Sequence, residues 1–300
     1  MSLPLVSVYL PTRNRAELLA AAVESVLAQR HTALELIVVD DASEDETPAV
    51  LARAAARDPR LRLLRLTPAA GACAARNAAI AVARGEFITG LDDDDLMLPA
   101  RIETLLGAWR EPRAFLCSGW LLARDGWMRS VATRPRLIGL EALLAGNLVG
   151  NQVLTRTARL REVGGFDLAM VASQDHDLWT RLVLRYGPGE RIAAPTLIVR
   201  QQLWRERLST PGRAGEGARQ YLERYRARMN PAQRRSMELT AIIAAGRVPA
   251  AAECWRYLLP PTTRALAAHL LRERAPALVH ALNRLRGWLH ARRTPPAVHG

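Results

Sequence analysis

Four consecutive aspartates, Asp92-Asp93-Asp94-Asp95, stand between the apolar end of the segment Glu86–Leu91 and the apolar Leu96-Met97-Leu98. Like charges at adjacent positions repel, and a divalent cation relieves that repulsion most economically. Carboxylate oxygens suit hard cations such as Mg2+ or Mn2+, which keep open positions for substrate phosphates. The alternative is a solvated acidic loop that caps a helix. A second acidic group, Asp40-Asp41 followed by Ser43 and Asp45, either caps a helix or offers a carboxylate to a nucleobase N–H. Arg76-Asn77 would bring a bidentate cation and an amide to the same crevice, unless Arg76 is simply a surface arginine. A third group joins the turn Gly164-Gly165-Phe166-Asp167 to Gln174-Asp175-His176-Asp177-Leu178-Trp179. Its acids either complement a helix dipole or include a general base, and His176 reads as a packed or exposed side chain rather than a catalyst.

The elements around these groups explain why they would meet. Val6–Leu10 is rich in β-formers and stops at Pro11, and residues 15–29 place Leu18, Leu19, Ala22, Val23, Val26 and Leu27 at helical spacing. Asn14 with Glu17 resembles a capping box at that helix start. Residues 34–39 form an almost unbroken apolar run, as expected of a strand buried on both faces. A helix led by Pro48, a strand over 62–66, a helix over 72–84 opened by Gly71 and a strand over 86–91 complete a βαβαβαβ pattern. Such alternation forces right-handed crossovers and a parallel sheet, whose ligand crevice lies at the carboxyl ends of the strands. Thr12-Arg13-Asn14, Asp40-Asp41 and Asp92–Asp95 all fall at such ends. Further on, strands are predicted at 115–122, 127–131, 152–155 and 191–199, with helices at 100–109 and 174–186, as a mixed extension of the same sheet.

The chain of 300 residues, 49% hydrophobic and 24% charged, has globular rather than disordered or fibrous composition. Cys73, Cys117 and Cys254 are odd in number and widely spaced, which supports neither a disulfide framework nor a zinc cluster and suits a reducing cytoplasm. No apolar run reaches membrane-spanning length and the start carries no basic leader, so a cytoplasmic protein is expected. The net charge of +13 is carried entirely by arginine and is uneven: residues 1–200 hold 24 arginines against 23 acids, residues 201–300 hold 18 against 6. The two parts are therefore expected to have different partners.

Taken together, VSVYLPTRNR, ELIVVDDASEDET, GACAARNAAIAVARGEFITGLDDDDLMLP, and GGFD followed by SQDHDLWTRL resemble, in order and spacing, the signatures of family 2 glycosyltransferases over residues 5–210. The resemblance implies a GT-A fold over residues 1–210, a mixed, mostly parallel sheet flanked by helices, with a nucleotide-binding half at 1–98 and an acceptor-binding half at 99–210. A basic helical region would follow at 211–300. It implies that Pro11, Thr12 and Arg13 line the nucleoside pocket, that Asp41 contacts the base, and that Arg76 lies near base or ribose. Asp92 and Asp93 would face ribose and diphosphate, Asp94 would bind the metal with Asp95 in reserve, and Asp175 would be the catalytic base with Asp177 in reserve. The implied activity is inverting transfer from a UDP- or dTDP-sugar to a hydroxyl acceptor, with Mg2+ or Mn2+, in assembly of cell-surface polysaccharide or glycolipid. The sequence departs from the pattern at Gln174, where many relatives carry Glu, and at Val199–Leu203, which lacks the common His.

Two other functions fit parts of the chain. A nucleotidyltransferase would also use acidic ligands on an α/β sheet, although Pro11-Thr12-Arg13-Asn14 is not glycine-rich. A noncatalytic nucleotide-sugar-binding or scaffold protein would use the basic third for docking. Residues 201–217, with Pro211, Gly212, Gly215 and Gly217, read as a lid over the site or a plain linker. Residues 219–293 read as arginine-rich helices with leucine stripes, suited to self-association, to packing on the catalytic domain or to the anionic inner face of a membrane; no nucleic-acid motif is present.

Overall fold

A computed structural model describes residues 3–124, 127–150, 152–200 and 210–274. Strands β1 (Val6–Thr12), β2 (Leu34–Asp41), β3 (Leu61–Leu66) and β4 (Phe87–Gly90) alternate with helices α1 (Ala16–Leu27), α2 (Thr47–Arg57) and α3 (Ala72–Val82). There follow β5 (Leu96–Met97), α4 (Arg101–Ala108), β6 (Leu116–Arg124), β7 (Trp127–Val131), β8 (Arg136–Ile138), α5 (Leu140–Ala145), β9 (Thr155–Arg156), α6 (Thr157–Glu162), α7 (Gln174–Tyr186) and β10 (Gly189–Arg200). Helices α8 (Pro211–Tyr225), α9 (Pro231–Ala244), α10 (Ala251–Cys254) and α11 (Thr263–Arg274) end the described part. The chain divides into two compact units, one drawn from Met1–Leu122, Ser130–Leu143 and Asn147–Gln201, the other from Ala123–Arg129, Leu144–Gly146 and Gln202–Gly300.

In the first unit, one sheet has the order β3-β2-β1-β4-β9, parallel except for antiparallel β9. A second sheet has the order β5-β10-β6-β7, with β8 also on β10. The two-residue alternation of side chains sends Val6, Val8 and Leu10 of β1 and Leu36 and Val38 of β2 into one buried cluster with Leu19, Val23 and Val26 of α1. It sends Tyr9, Ile37 and Val39 into another with Ala75 and Ala79 of α3 and Trp179 of α7. Each fully buried Val, Leu or Ile contributes about 1.5–3 kcal/mol, so both faces of the 34–39 run are stabilising, which is why it carries no polar alternation. At the amino ends of the strands the buried Glu35 accepts from Ser7 Oγ (2.7 Å), the Arg84 backbone N–H (2.6 Å) and Arg62 Nη1 (2.8 Å). Burial alone would raise the Glu35 carboxyl, but these donors outweigh it and hold it down at about 2.

Four expectations change, the first being that the later strands, apart from β9, form a second sheet instead of extending the first. β1 runs through Pro11 to Thr12, because β4 pairs only as far as Tyr9 and Pro11 has a single neighbour, β2. Asn14 forms no capping box: its backbone is left-handed (φ 51°), its N–H donates to Ser43 Oγ (2.9 Å), and its side-chain oxygen accepts from the Glu44 N–H (2.9 Å). It ties the β1–α1 loop to the β2–α2 loop, and Asp45 and Thr47 take the first N–H groups of α1 instead. Residues 211–217, expected to be flexible, are the opening turns of α8, with Pro211 in its first turn, where a missing N–H costs nothing. Gly215 lets α8 approach the end of α9: a Cβ there would lie 2.5 Å from the Ala245 Cβ. Residues 201–209, the remainder of the expected lid, lie outside the described residues.

In the second unit an Asn230–Gln233 capping box opens α9, and Leu239, Tyr257 and Leu266 form a small buried cluster with Ile242, Ile243 and Leu270. The helices break near the expected prolines; residues 275–293 of the predicted leucine stripes, with Trp288, lie outside the described residues. No helix among the described residues is long and apolar enough to cross a membrane.

Candidate active site

The acidic run is a tight turn anchored on both sides. Leu91 is fully buried and its N–H donates to the Tyr9 carbonyl (3.0 Å), while Leu96 and Met97 pair with Ile198 and Leu197 of β10. Between these anchors the Asp95 N–H donates to the Asp92 carbonyl (3.1 Å). Each carboxylate then faces a different surrounding. Asp92 accepts from Arg76 Nη2 (3.0 Å) and Gln152 Nε2 (3.1 Å). Asp93 is buried and accepts from Thr12 Oγ1 (2.8 Å). Asp95 is buried and accepts from the Arg200 backbone N–H (3.1 Å), and Arg200 Nε donates to the Asp94 carbonyl. Asp94 is half-buried, and its carboxylate takes no side-chain hydrogen bond among the described residues.

Burial in company raises the affinity of this turn for protons and, by the same physics, for cations. Asp93 is pushed up to about 7 by burial and by the charges of Asp94 and Asp92, against the Thr12 bond. Burial and Asp92 raise Asp94, and burial with Asp92 and Asp94 raises Asp95 well above the usual carboxylate range. A donor set of hard oxygens, destabilised as anions, fits Mg2+ or Mn2+. Among the described residues no three His, Cys, Asp or Glu converge as a ready-made metal cage. Mg2+ is commonly held by one or two carboxylates together with substrate phosphates.

Pro11 and Thr12 are buried at the end of β1, with Thr12 in register with Asp40, and Arg13 is exposed beyond them. Asp40 is committed to the scaffold: it accepts from the Ser43 N–H (3.0 Å) and from Arg65 Nη1 (2.9 Å). Asp41 accepts the backbone N–H groups of Ala70 (2.6 Å) and Gly71 (2.8 Å), fixing the loop that leads into α3. A carboxylate has about four acceptor positions, so two remain.

Helix α3 carries the link to the third motif. Arg76, ion-paired with Asp92, lies over the Phe166 ring at 5.2 Å from its centroid. Asn77 does not face the crevice as expected. Its Nδ2 donates to the Phe166 carbonyl (2.7 Å) and its Oδ1 accepts the Phe166 N–H (2.8 Å), clamping the glycine turn. Gly165 has φ +66°, and a Cβ there would meet Asn77 Oδ1 at 2.4 Å, so only glycine permits the clamp.

The acids of α7 separate by surroundings. Asp175 is half-buried and accepts from Asn147 Nδ2 at 2.9 Å. Burial raises its proton affinity against the His176 N–H, Arg76 and Asn147, and Asp92 adds to the rise. Asp175 is thus within electrostatic reach of both Asp92 and Arg76. Asp177 is fully buried and paired with Arg181 (2.8 Å), whose other nitrogens hold the Val163 and Gly165 carbonyls. His176 is buried on the Leu143 carbonyl (2.7 Å), and burial lowers it to about 4, so it is neutral and packed. Gln174 turns back towards the Met170 carbonyl (3.4 Å).

The structure therefore places Thr12, Arg76, Asp92 and Asp93 in direct contact pairs, adds Asp94 and Asp95 on the same turn, and brings Asp175 near them. Sequence reasoning missed Tyr9, Gln152 and Asn147. Tyr9 OH donates to Gln152 Oε1 (3.3 Å) and Gln152 Nε2 passes the chain on to Asp92. The available signal was an amide in an apolar context, as in Leu148-Val149-Gly150-Asn151-Gln152-Val153-Leu154.

A mostly parallel sheet and a second sheet, with an acidic turn where the first passes into the second, form the GT-A arrangement of nucleotide-sugar transferases. The sequence profile described as "Glycosyl transferase family 2" matches residues 7–156, and the chain belongs to that family. It is 34% identical over 204 residues to the putative colanic acid biosynthesis glycosyl transferase WcaA of Escherichia coli strain K12, covering 65% of this chain and 72% of that one. Its fold is similar to that of S. aureus TarS 1-349, solved with UDP-GlcNAc (TM-score 0.63, 19% identity, 80% of this chain and 72% of that one). It is also similar to the mannosyltransferase PcManGT of Pyrobaculum calidifontis, solved with GDP-Man and Mn2+ (TM-score 0.57, 20% identity, 89% and 85%).

Proposed function

We propose that this glycosyltransferase moves a sugar, with inversion, from a pyrimidine nucleoside diphosphate sugar (a UDP- or dTDP-sugar) to a hydroxyl of a growing cell-surface polysaccharide or glycolipid. The observation that carries the reading is the pairing of the Arg76-neutralised Asp92–Asp95 turn with a half-buried carboxylate, Asp175, at the carboxyl ends of β1, β2 and β4. Pro11, Thr12 and Arg13 flank the nucleoside, and the remaining acceptor positions of Asp41 take an N–H of the base. Asp92 and Asp93 face ribose and diphosphate. Asp94, with Asp95 behind it, would hold Mn2+ or Mg2+, which would supply positive charge to offset that of the diphosphate. Asp175 takes the proton of the acceptor hydroxyl as that oxygen attacks the anomeric carbon. Asn147 fixes one carboxylate oxygen, and burial makes the carboxylate a better base than an exposed one. Asp177 acts through Arg181 as a positioning residue for the glycine turn. One base suffices for inversion, with no covalent glycosyl intermediate. The proposal places the chain in a reducing cytoplasm, in keeping with three unpaired cysteines.

The test is a thermal-shift titration of wild type and Asp94→Ala with a panel of nucleotide sugars, each with and without Mn2+, since a ligand of the folded state raises the melting temperature. A Mn2+-dependent shift with a pyrimidine donor that disappears in Asp94→Ala is expected. No shift with any nucleotide would sink the proposal, and tight donor binding with no transfer to any acceptor would favour a noncatalytic binding protein.

A further inference from the structure

The second unit carries a groove of about 310 Å3 between the start of α9 and the short turn after α10. Its lining includes Arg234, Arg235 and Arg256, a single acid, Glu238, and the apolar Trp255 and Leu259. Three cations face one anion, and Glu238 stands 3.9 Å from Arg256. The Nε atoms of both Arg234 and Arg235 are buried without a hydrogen-bond partner among the described residues. Three guanidinium groups lining an electropositive groove suit an anion with several acceptor oxygens. The rim says which kind. Trp255, Leu258 and Leu259 are 68%, 57% and 57% exposed, three large apolar side chains on one turn beside the arginines. A soluble phosphate has no use for such a rim. A phosphate diester at the surface of a bilayer does, because the aromatic and aliphatic groups enter the acyl boundary while arginines hold the headgroups.

We infer that this groove and its apolar rim form a docking site for an anionic phospholipid leaflet, with lipid phosphates on Arg234, Arg235 and Arg256 and with Trp255, Leu258 and Leu259 inserted below them. The +12 balance of residues 201–300 (18 arginines, 6 acids) supplies the long-range attraction, and the groove supplies the seat. The inference does not depend on the sugar-transfer reading, since none of these residues belongs to the acidic site.

The experiment is co-sedimentation of the full chain with extruded vesicles of phosphatidylcholine alone or with about one third phosphatidylglycerol, at moderate salt. Wild type is expected to partition onto the anionic vesicles and not onto the neutral ones. Arg234→Gln with Arg235→Gln should weaken partitioning roughly fivefold for each arginine removed. Trp255→Ser, at an exposed position whose change leaves the core intact, should weaken it at least as much. Arg284→Gln, Arg286→Gln, Arg292→Gln and Arg293→Gln together serve as the comparison. If that set abolishes binding while the groove variants bind as wild type does, the inference is overturned. It is equally overturned if glycerol 3-phosphate raises the melting temperature through Arg234 and Arg235 while anionic vesicles do not bind. A lipid-independent dimer that Trp255→Ser dissociates, or tighter binding to a single-stranded oligonucleotide than to vesicles, would assign the groove to another partner.

Discussion

Gly164 and Gly165 both hold left-handed backbones, at φ +83° and +66°, yet the structure predicts different responses to the same substitution. At Gly164 a Cβ meets nothing within 4 Å, so Gly164→Ala carries only the conformational cost of alanine in that region, about 1–2 kcal/mol. Gly165→Ala carries the same cost and also drives a methyl to 2.4 Å from Asn77 Oδ1. Asn77 must then give up its two hydrogen bonds to Phe166, each contributing about 1 kcal/mol net. The second variant should therefore be less stable than the first by about 2 kcal/mol. With a urea slope of about 2–3 kcal/mol/M for a protein of this size, the midpoint of Gly165→Ala should lie about 0.7–1 M below that of Gly164→Ala. Urea melts followed by tryptophan fluorescence in parallel would read it. Coincident midpoints would show that the Asn77 clamp does not hold the glycine turn, and with it would fall the argument that this turn seats Phe166 under Arg76.

Other outcomes follow from the same geometry. Asp175→Asn should lower kcat by about 10²–10⁴-fold with little change in donor KM, and Asn147→Ala should shift the acidic limb of the pH–rate profile; a donor KM that rises with kcat intact would remove Asp175 from the role of base. Asp93 is raised in the folded state, so the stability it contributes is full below the ordinary aspartate value near 3.8 and is lost as pH rises through about 7. In chelator the melting temperature should fall between pH 5 and pH 8, less so in Asp93→Asn, and Mn2+ should offset the fall. Arg101 is fully buried, bonded only through Nη1 to Ser118 and Thr196, with Nε and Nη2 unpartnered among the described residues, and burial lowers it to about 10. Arg101→Met should be neutral or stabilising in a melt; a loss of several kcal/mol would mean that the buried charge is compensated.

The parts of the fold with strong periodicity were legible. Residues 34–39 read as a strand covered on both faces because no polar residue interrupts them, apart from Glu35, whose own partners are Ser7, Arg62 and Arg84. Short elements were not legible: β5, β8, α5 and α6 have two, three, six and six residues, too few to show a period. Local caps misled in the same way, since Asn14 satisfies Glu44 across 30 residues rather than its own helix. The glycines of residues 211–217 suggested flexibility, but Gly215 is small so that Ala245 can come close. In the site, charged side chains announced themselves by type, whereas the neutral amides Asn77, Asn147 and Gln152 act through partners 89, 28 and 60 positions away that no local pattern reveals.

The Glu35 cluster has a consequence for how the molecule meets acid. It sits at the amino ends of the strands with its carboxyl held at about 2, while Asp93 at the carboxyl ends is already half-protonated near 7. The two ends of one sheet thus titrate several pH units apart. Mild acidification neutralises Asp93 in the turn that would grip a cation long before it loosens the bonds that pin Ser7, Arg62 and Arg84. Exposure to weak acid should disarm the enzyme while leaving it folded, and neutralisation should restore it without refolding.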